Sequence, residues 1–113
     1  MSISTHVLDT SAGKPADGVS VRLEFLTGAE DWRVVGSGTT NGDGRVGDLV
    51  GEQALMEVGT YRLTFDTGDY FERLGVSSFH PRVQIVFSVR DADEHYHVPL
   101  LLSPFGYTTY RGS

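Results

Sequence analysis

Apolar and polar residues alternate along much of this chain, in short segments separated by clusters of Gly, Asp and Asn. The segment from Val19 to Phe25 carries an apolar side chain at every second position, and the segments 61–65 and 83–89 repeat the pattern. A period of two is typical of strands with one buried face. Further strands are predicted at 3–9, 32–39, 45–49, 95–102 and 106–111. About eight such strands are typical of two sheets packed face to face, so the pattern predicts an all-β, two-sheet β-sandwich.

One short helix is predicted from Thr67 to Leu74, where the alternation stops. Thr67 or Asp69 is expected to cap its start, and Gly75 its end. The segments 12–18 and 40–44 are rich in Gly, Asp and Asn, which tolerate the backbone angles of tight turns. The 113 residues contain no recognisable linker or internal repeat, so we expect a single domain over 1–113.

The strand predicted at 95–102 departs from the alternation, because its second half is apolar on both faces. Val98, Leu100 and Leu102 point one way, while Pro99 and Leu101 point the other. A strand in a monomeric sandwich needs only one dry face. Burial of the second face against another subunit explains the pattern, so we predict a homo-oligomer.

Composition narrows the range of partners. The chain has no cysteine, so neither disulfides nor thiolate metal sites can hold the fold. Nine Lys and Arg stand against fifteen Asp and Glu, a net charge of −6, and phosphate contacts need clustered cations, so nucleic acid is not an expected partner. No run approaches the ~20 apolar residues that span a bilayer. We expect a cytoplasmic protein with no membrane partner.

Histidines are the first candidates for chemistry. His95 and His97 are two apart on one predicted strand, so their side chains leave the same face. His-x-His on a strand is a geometry that zinc enzymes use, and His6 could supply a third ligand. The alternative is that one histidine lies at a solvated rim and the other is simply a hydrogen-bonded neighbour.

Histidine is also the side chain best suited to move protons near neutral pH. A hydrolase without a metal or a nucleophilic cysteine needs a base for water, for which the sequence offers His6 and His97. It also needs a cation for the oxyanion, for which it offers Arg45 and Arg111. Arg45 directly follows the turn residues 41–44, so we expect the turn to present it at the start of a strand, although an ordinary solvated arginine would look the same. Ser113 is not in a nucleophile elbow and is interpreted as a hydroxyl that positions water or substrate.

Three segments resemble the transthyretin-related 5-hydroxyisourate hydrolases: STHVLDTSAGKPADGVSVRLE near the start, TTNGDGRV in the middle and HYHVPLLLSPFGYTTYRGS at the end. The resemblance runs from His6 to Ser113. Its most specific element is Tyr-Arg-Gly-Ser at 110–113, which transthyretin, the hormone-carrying branch, lacks.

The resemblance implies a transthyretin-like sandwich assembled as a homotetramer, a dimer of dimers, with active sites where the dimers meet. It also implies hydrolysis of a ring amide of 5-hydroxyisourate in urate degradation, with no cofactor and no metal. Transferred by position, the implied catalytic residues are His6, Arg45, His97 and Ser113. The implied substrate-binding residues are Arg45, Tyr110, Arg111 and Ser113. His95 matches the motif but is not transferred as catalytic.

Two other functions stay open at this point. One is a transthyretin-like carrier whose central channel holds an aromatic ligand, although a carrier has no need of a proton-transfer set. The other is a zinc-dependent hydrolase that uses the same histidines, with a metal at His95 and His97. Which of His6 and His97 serves as the base is also left open.

Overall fold

Nine strands and one helix form the described part of the computed structural model, residues 2–51 and 56–113. The strands are β1 (Ser2–Asp9), β2 (Lys14–Pro15), β3 (Ser20–Leu26), β4 (Trp32–Thr39), β5 (Arg45–Val46), β6 (Gly59–Phe65), β7 (Val83–Val89), β8 (His95–Leu102) and β9 (Tyr107–Thr109). The helix α1 spans Thr67–Arg73. The prediction of an all-β chain with one short helix is confirmed.

The strands form two sheets. Sheet 1 has the order β2-β1-β8-β9, with β5 also paired to β1, and sheet 2 has the order β4-β3-β6-β7. Pairing is antiparallel throughout except between β1 and β8, which run parallel over eight residue pairs. Because β8 occupies one whole edge of β1, the short strands β2 and β5 share the other edge.

The core lies between the sheets and follows the period of two. On β3 and β6, Val21, Leu23, Leu63 and Phe65 are at most 1% exposed. Val98, Leu100 and Leu102 of β8 also point into the core, as predicted. Full burial of each such side chain stabilises the fold by roughly 1.5–3 kcal/mol, so the alternation accounts for which face of each strand is inside.

Asp9 joins the end of β1 to the helix. Its Oδ1 accepts hydrogen bonds from the N–H and hydroxyl of Ser11 and the N–H of Ala12, and its Oδ2 accepts one of 2.7 Å from the Tyr70 hydroxyl. Burial alone would raise the pKa of Asp9, but these hydrogen bonds outweigh it and leave the pKa lowered. The charged carboxylate of Asp9 therefore links α1 to sheet 1 through hydrogen bonds.

The helix ends as predicted but begins differently. Gly75 has φ +69°, and its N–H donates to the carbonyl of Glu72, which is a typical glycine end. The capping position at the start is Asp66, with no side-chain hydrogen bond, so the prediction of Thr67 or Asp69 as the cap was wrong. Thr67 is instead the first residue of the helix, and its side chain is buried. A buried side chain of this kind is not free to cap the helix start.

Two strand predictions and one turn prediction needed correction. The strand predicted at 45–49 pairs only over Arg45–Val46, and Asp48 instead accepts a hydrogen bond from the Val50 N–H in a local turn. The strand predicted at 106–111 is shortened to Tyr107–Thr109. The segment 12–18, predicted as a turn, contains the two-residue strand β2, since the hairpin brings it back against β1.

Within the described residues, no helix is long and apolar enough to cross a membrane. On the outer face of β8, Pro99 is buried within the chain itself and Leu101 is half-buried. The predicted apolar outer face therefore exists, but part of it is already covered without a second subunit.

Candidate functional site

The parallel register of β1 and β8 assembles the histidine cluster on the outer face of sheet 1. Ser2 pairs with His95 and Ser4 pairs with His97. Because side chains alternate along both strands, all four leave the same face. His95 and His97 thus share a face, as their two-residue spacing predicted, and their rings stack with centroids 6.4 Å apart and 14° between their planes.

Arg45 reaches this cluster through the turn before β5. The Asn41 side chain accepts hydrogen bonds from the N–H groups of Asp43 and Arg45. Gly44 has φ +74°, and a Cβ at this position would lie 2.3 Å from the Val7 carbonyl oxygen, so only glycine fits the turn. The turn sets β5 against β1 with Arg45 opposite His6, which confirms that the turn presents Arg45 at the start of a strand.

The last residues of the chain close the other side of the cluster. The N–H of Gly112 donates a 2.8 Å hydrogen bond to the His97 carbonyl. A Cβ on Gly112 would lie 2.6 Å from His97 Cδ2, so the backbone passes directly against the imidazole. Ser113 follows and joins the wall of a cleft of about 280 Å³, lined by Ser4, Thr5, Arg45, Val46, Gly47, His95, His97 and Ser113.

His6 stands beside this cleft rather than in its wall. It is half-buried on β1, two residues after Ser4 and opposite Arg45. Electrostatic interaction with Arg45, and more weakly with His6, contributes to the lowered pKa of His97. The structure therefore brings four of the predicted residues, His6, Arg45, His97 and Ser113, to one region of sheet 1.

Tyr110 and Arg111 lie elsewhere in the single chain. Both line a separate, mainly apolar cavity of about 210 Å³ with residues of β7 and β8. The Arg111 guanidinium donates a 2.7 Å hydrogen bond to Glu94 and lies 4.6 Å from the centre of the Tyr96 ring. These two predicted substrate-binding residues are thus not brought to the histidine cleft within one chain.

The protonation of His97 is set by its surroundings. Burial lowers its pKa most, and electrostatic interaction with Arg45, and then with His95 and His6, lowers it further. A histidine with a lowered pKa is neutral near pH 7 and keeps a lone pair on one ring nitrogen. His97 is accordingly suited to accept a proton.

Ser4 is the site residue that the sequence reasoning missed. It is 8% exposed, and its Oγ lies 2.8 Å from His97 Nδ1 and 3.1 Å from His95 Nε2. Because it stands two residues before His6, the period of two already placed it on the same face. No local feature of a serine marks such a contact, since the partner histidines are more than 90 residues away in the chain.

Within the described residues, no group of three or more His, Cys, Asp or Glu side chains is placed to hold a metal ion. Among these residues, His6, His95 and His97 therefore do not form the three-histidine site considered from the sequence. His6 faces Arg45 across the strand pair, and a neighbouring guanidinium does not favour a cation at that position.

Comparison with known proteins gives a consistent result. Residues 3–112 match the sequence model of the HIUase/Transthyretin family. A probable 5-hydroxyisourate hydrolase of Caenorhabditis elegans is 51% identical, and the alignment covers 99% of this chain and 82% of that protein. The solved 5-hydroxyisourate hydrolase of Klebsiella pneumoniae is 38% identical with a TM-score of 0.86 over 100% of both chains. Sea bream transthyretin in complex with thyroxine is 33% identical with a TM-score of 0.91, over 99% of this chain and 95% of that one. The predicted transthyretin-like sandwich is confirmed.

Proposed function

This chain belongs to the HIUase/Transthyretin family, and we propose that it hydrolyses 5-hydroxyisourate to 2-oxo-4-hydroxy-4-carboxy-5-ureidoimidazoline in urate degradation. Its relatives include both a hydrolase and a transthyretin in complex with thyroxine. The choice between hydrolase and carrier therefore depends on the residues of the cleft. The observation that carries the proposal is the cleft shared by His97, Arg45 and Ser113. It combines a neutral base with a fixed cation, which a hydrolase requires and a carrier does not.

His97 is the general base in this proposal. Its lowered pKa keeps the ring neutral, and Nδ1 is engaged by Ser4, which leaves Nε2 as the nitrogen available to the cleft. Nε2 takes a proton from water, and the resulting hydroxide attacks the ring carbonyl carbon of the substrate. When the ring C–N bond breaks, the proton returns from Nε2 to the leaving nitrogen.

Arg45 and Ser113 bind and orient the substrate. The planar guanidinium can donate two parallel hydrogen bonds to adjacent substrate oxygens, and its charge stabilises the oxyanion that forms when hydroxide adds to the carbonyl. The Ser113 hydroxyl positions the water or the substrate. His6, which lies opposite Arg45 on β1, is a second proton-transfer group. The reaction so written needs no cofactor.

The assembly we propose is a homotetramer, a dimer of dimers. The half-buried Leu101 on the outer face of sheet 1 supports it, as do Phe105, Tyr107 and Tyr110 near the end of the chain, which are 71%, 42% and 56% exposed. Tyr110 and Arg111 would take part in substrate binding only across a subunit boundary, since neither lines the cleft of its own chain. Light scattering at micromolar concentration tests this, and a monomer would contradict it. A cytoplasmic location stays a prediction.

A transthyretin-like carrier is the second candidate, favoured by the TM-score of 0.91 with thyroxine-bound transthyretin. Carriage and hydrolysis predict different results with the same substrate. A carrier would leave the spontaneous decay of 5-hydroxyisourate unchanged. A zinc-dependent hydrolase would accelerate it and lose activity on chelation, and metal analysis of the purified protein identifies that case.

The deciding experiment follows the ultraviolet absorbance of 5-hydroxyisourate that urate oxidase generates in place. We expect much faster decay with this protein, and loss of about 10² or more in turnover with His97→Asn, because a general base contributes about that much. His80→Asn is the matched control, since the His80 ring lies edge to face with the rings of Phe79 and Tyr107 and does not line the cleft. Decay at the spontaneous rate with folded protein would overturn the proposed function.

A further inference from the structure

A continuous chain of polar contacts runs away from the proposed base. Ser4 Oγ lies 2.8 Å from His97 Nδ1 and 3.1 Å from His95 Nε2, and the Ser2 hydroxyl is hydrogen-bonded to His95 Nδ1. Resting on the proposed function, we propose that Ser4 and His95 are positioning residues that form a proton relay between His97 and solvent. Neither residue touches the reacting atoms, and each acts through His97.

The direction of the hydrogen bonds follows from a count of protons on Ser4. A serine hydroxyl has one hydrogen and can donate to only one of its two imidazole neighbours, so it must accept from the other. For His97 to act as a base at Nε2, its own proton must lie on Nδ1, from which it donates to Ser4. Ser4 then donates to His95 Nε2, and His95 Nδ1–H donates to Ser2.

Uptake of a proton reverses every bond in this chain. As Nε2 of His97 takes a proton from water, the Nδ1 proton moves to Ser4 and the Ser4 proton moves to His95 Nε2. The Nδ1 proton of His95 passes through Ser2 to solvent. When Nε2 later gives its proton to the leaving nitrogen, each transfer runs backwards, so protons balance and His97 is neutral before and after each step.

The surroundings of the relay explain why it would help. A protonated His97 would be a half-buried cation close to Arg45, and burial together with the charge of Arg45 disfavours it. Ser4, the centre of the relay, is 8% exposed, so bulk water cannot easily replace it there. His95 is exposed, which gives the relay an outlet to solvent.

Kinetics of four variants test the relay. Ser4→Ala and His95→Gln break it, and each is expected to lower kcat about tenfold while KM stays within about twofold. The loss in kcat is smaller than the 10² or more that a general base contributes, because the base itself is still present. His95→Gln retains a polar contact to Ser4 but cannot pass a proton. Ser20→Ala is the matched control with wild-type kcat, because Ser20 is an exposed serine on β3 of sheet 2 and belongs neither to the relay nor to the lining of the cleft. Ser4→Thr keeps the hydroxyl and should restore most of the rate.

Two readouts separate a relay from a merely structural contact. Added imidazole, a small proton carrier, should raise the turnover of Ser4→Ala with increasing concentration and leave the wild type unchanged. A proton inventory in H₂O and D₂O mixtures should curve for the wild type, where several protons move together, and become linear for Ser4→Ala. Wild-type kcat in both Ser4→Ala and His95→Gln, or loss without imidazole rescue, would overturn the relay.

A substrate-free measurement keeps this test distinct from that of the proposed function. Nitrogen-15 NMR of the imidazole rings reports which nitrogen carries the proton. We expect the Nδ1–H form of His97 in the wild type and in Ser20→Ala, and a shift towards the Nε2–H form in Ser4→Ala. An Nε2–H form in the wild type, unchanged in Ser4→Ala, would exclude the relay even if 5-hydroxyisourate is hydrolysed.

Discussion

Gly112 touches the proposed base, so its replacement by alanine is a sharp test of the site. The Cβ of alanine would lie 2.6 Å from His97 Cδ2 and 3.2 Å from Pro99 Cγ. Pro99 is part of a paired strand and cannot move easily, whereas the imidazole can rotate. We therefore expect Gly112→Ala to displace the His97 ring by about 1 Å, the shift that restores an ordinary contact distance.

That displacement has a large effect on catalysis and a small one on stability. Moving Nδ1 by about 1 Å breaks the 2.8 Å contact with Ser4 and misaligns Nε2, and a misplacement of this size costs about 10² in rate. Such a loss corresponds to about 2.7 kcal/mol in the activation barrier. The backbone angle of Gly112 lies outside the left-handed region, so the free energy of unfolding should change by less than about 1 kcal/mol.

The assay is the decay of 5-hydroxyisourate absorbance, with thermal unfolding measured on the same samples. Gly106→Ala is the matched control, because the nearest atom to its Cβ is Ser103 Oγ at 3.8 Å, an ordinary contact. It should retain both turnover and stability. Gly112→Ala with wild-type turnover would refute the reasoning, and so would a loss of turnover explained by a matching loss of folded protein.

Three further changes test other parts of the molecule. Arg45→Lys keeps the charge but loses the planar fork, so kcat/KM for 5-hydroxyisourate should fall about tenfold or more, mainly through KM. Gly44→Ala forces φ +74° on a residue with a Cβ and should lower the free energy of unfolding, measured in urea, by about 1–3 kcal/mol. Gly42→Ala is the control and should leave the free energy of unfolding unchanged, because a Cβ at position 42 has no atom within 4 Å. Tyr70→Phe removes the 2.7 Å bond to Asp9 and should cost about 1–3 kcal/mol at pH 7. Because the folded pKa of Asp9 is below 3.8, this stability is present above pH 3.8 and is lost as the pH falls through the folded value, so the deficit in urea unfolding should shrink in acid.

The period of two in the sequence was enough to predict most of the strands and the buried face of each. An alternating strand has one dry face wherever it lies in a sandwich, so local pattern and burial agree along β7 and for the apolar face of β3 and β6, although Glu24 and Thr64 on the opposite face of those two strands are buried as well. The His-x-His spacing on β8 and the glycine turn before Arg45 are local features of the same kind. Their geometry depends on neighbours in the chain, which is why the sequence sufficed.

Contacts between distant segments could not be predicted in this way. The parallel pairing of β1 with β8 joins Ser4 to His97 across 93 positions, and nothing in either segment specifies the register. The start of α1 differs from the prediction because Asp66, not Thr67 or Asp69, holds the capping position. Arg111 lies against Glu94 and the Tyr96 ring, away from the cleft. Local periodicity therefore determined where the strands lie and on which face each side chain stands. The order and register of the strands determined which of those side chains meet. Only the whole fold decides that order and register, because they depend on contacts between segments far apart in the chain.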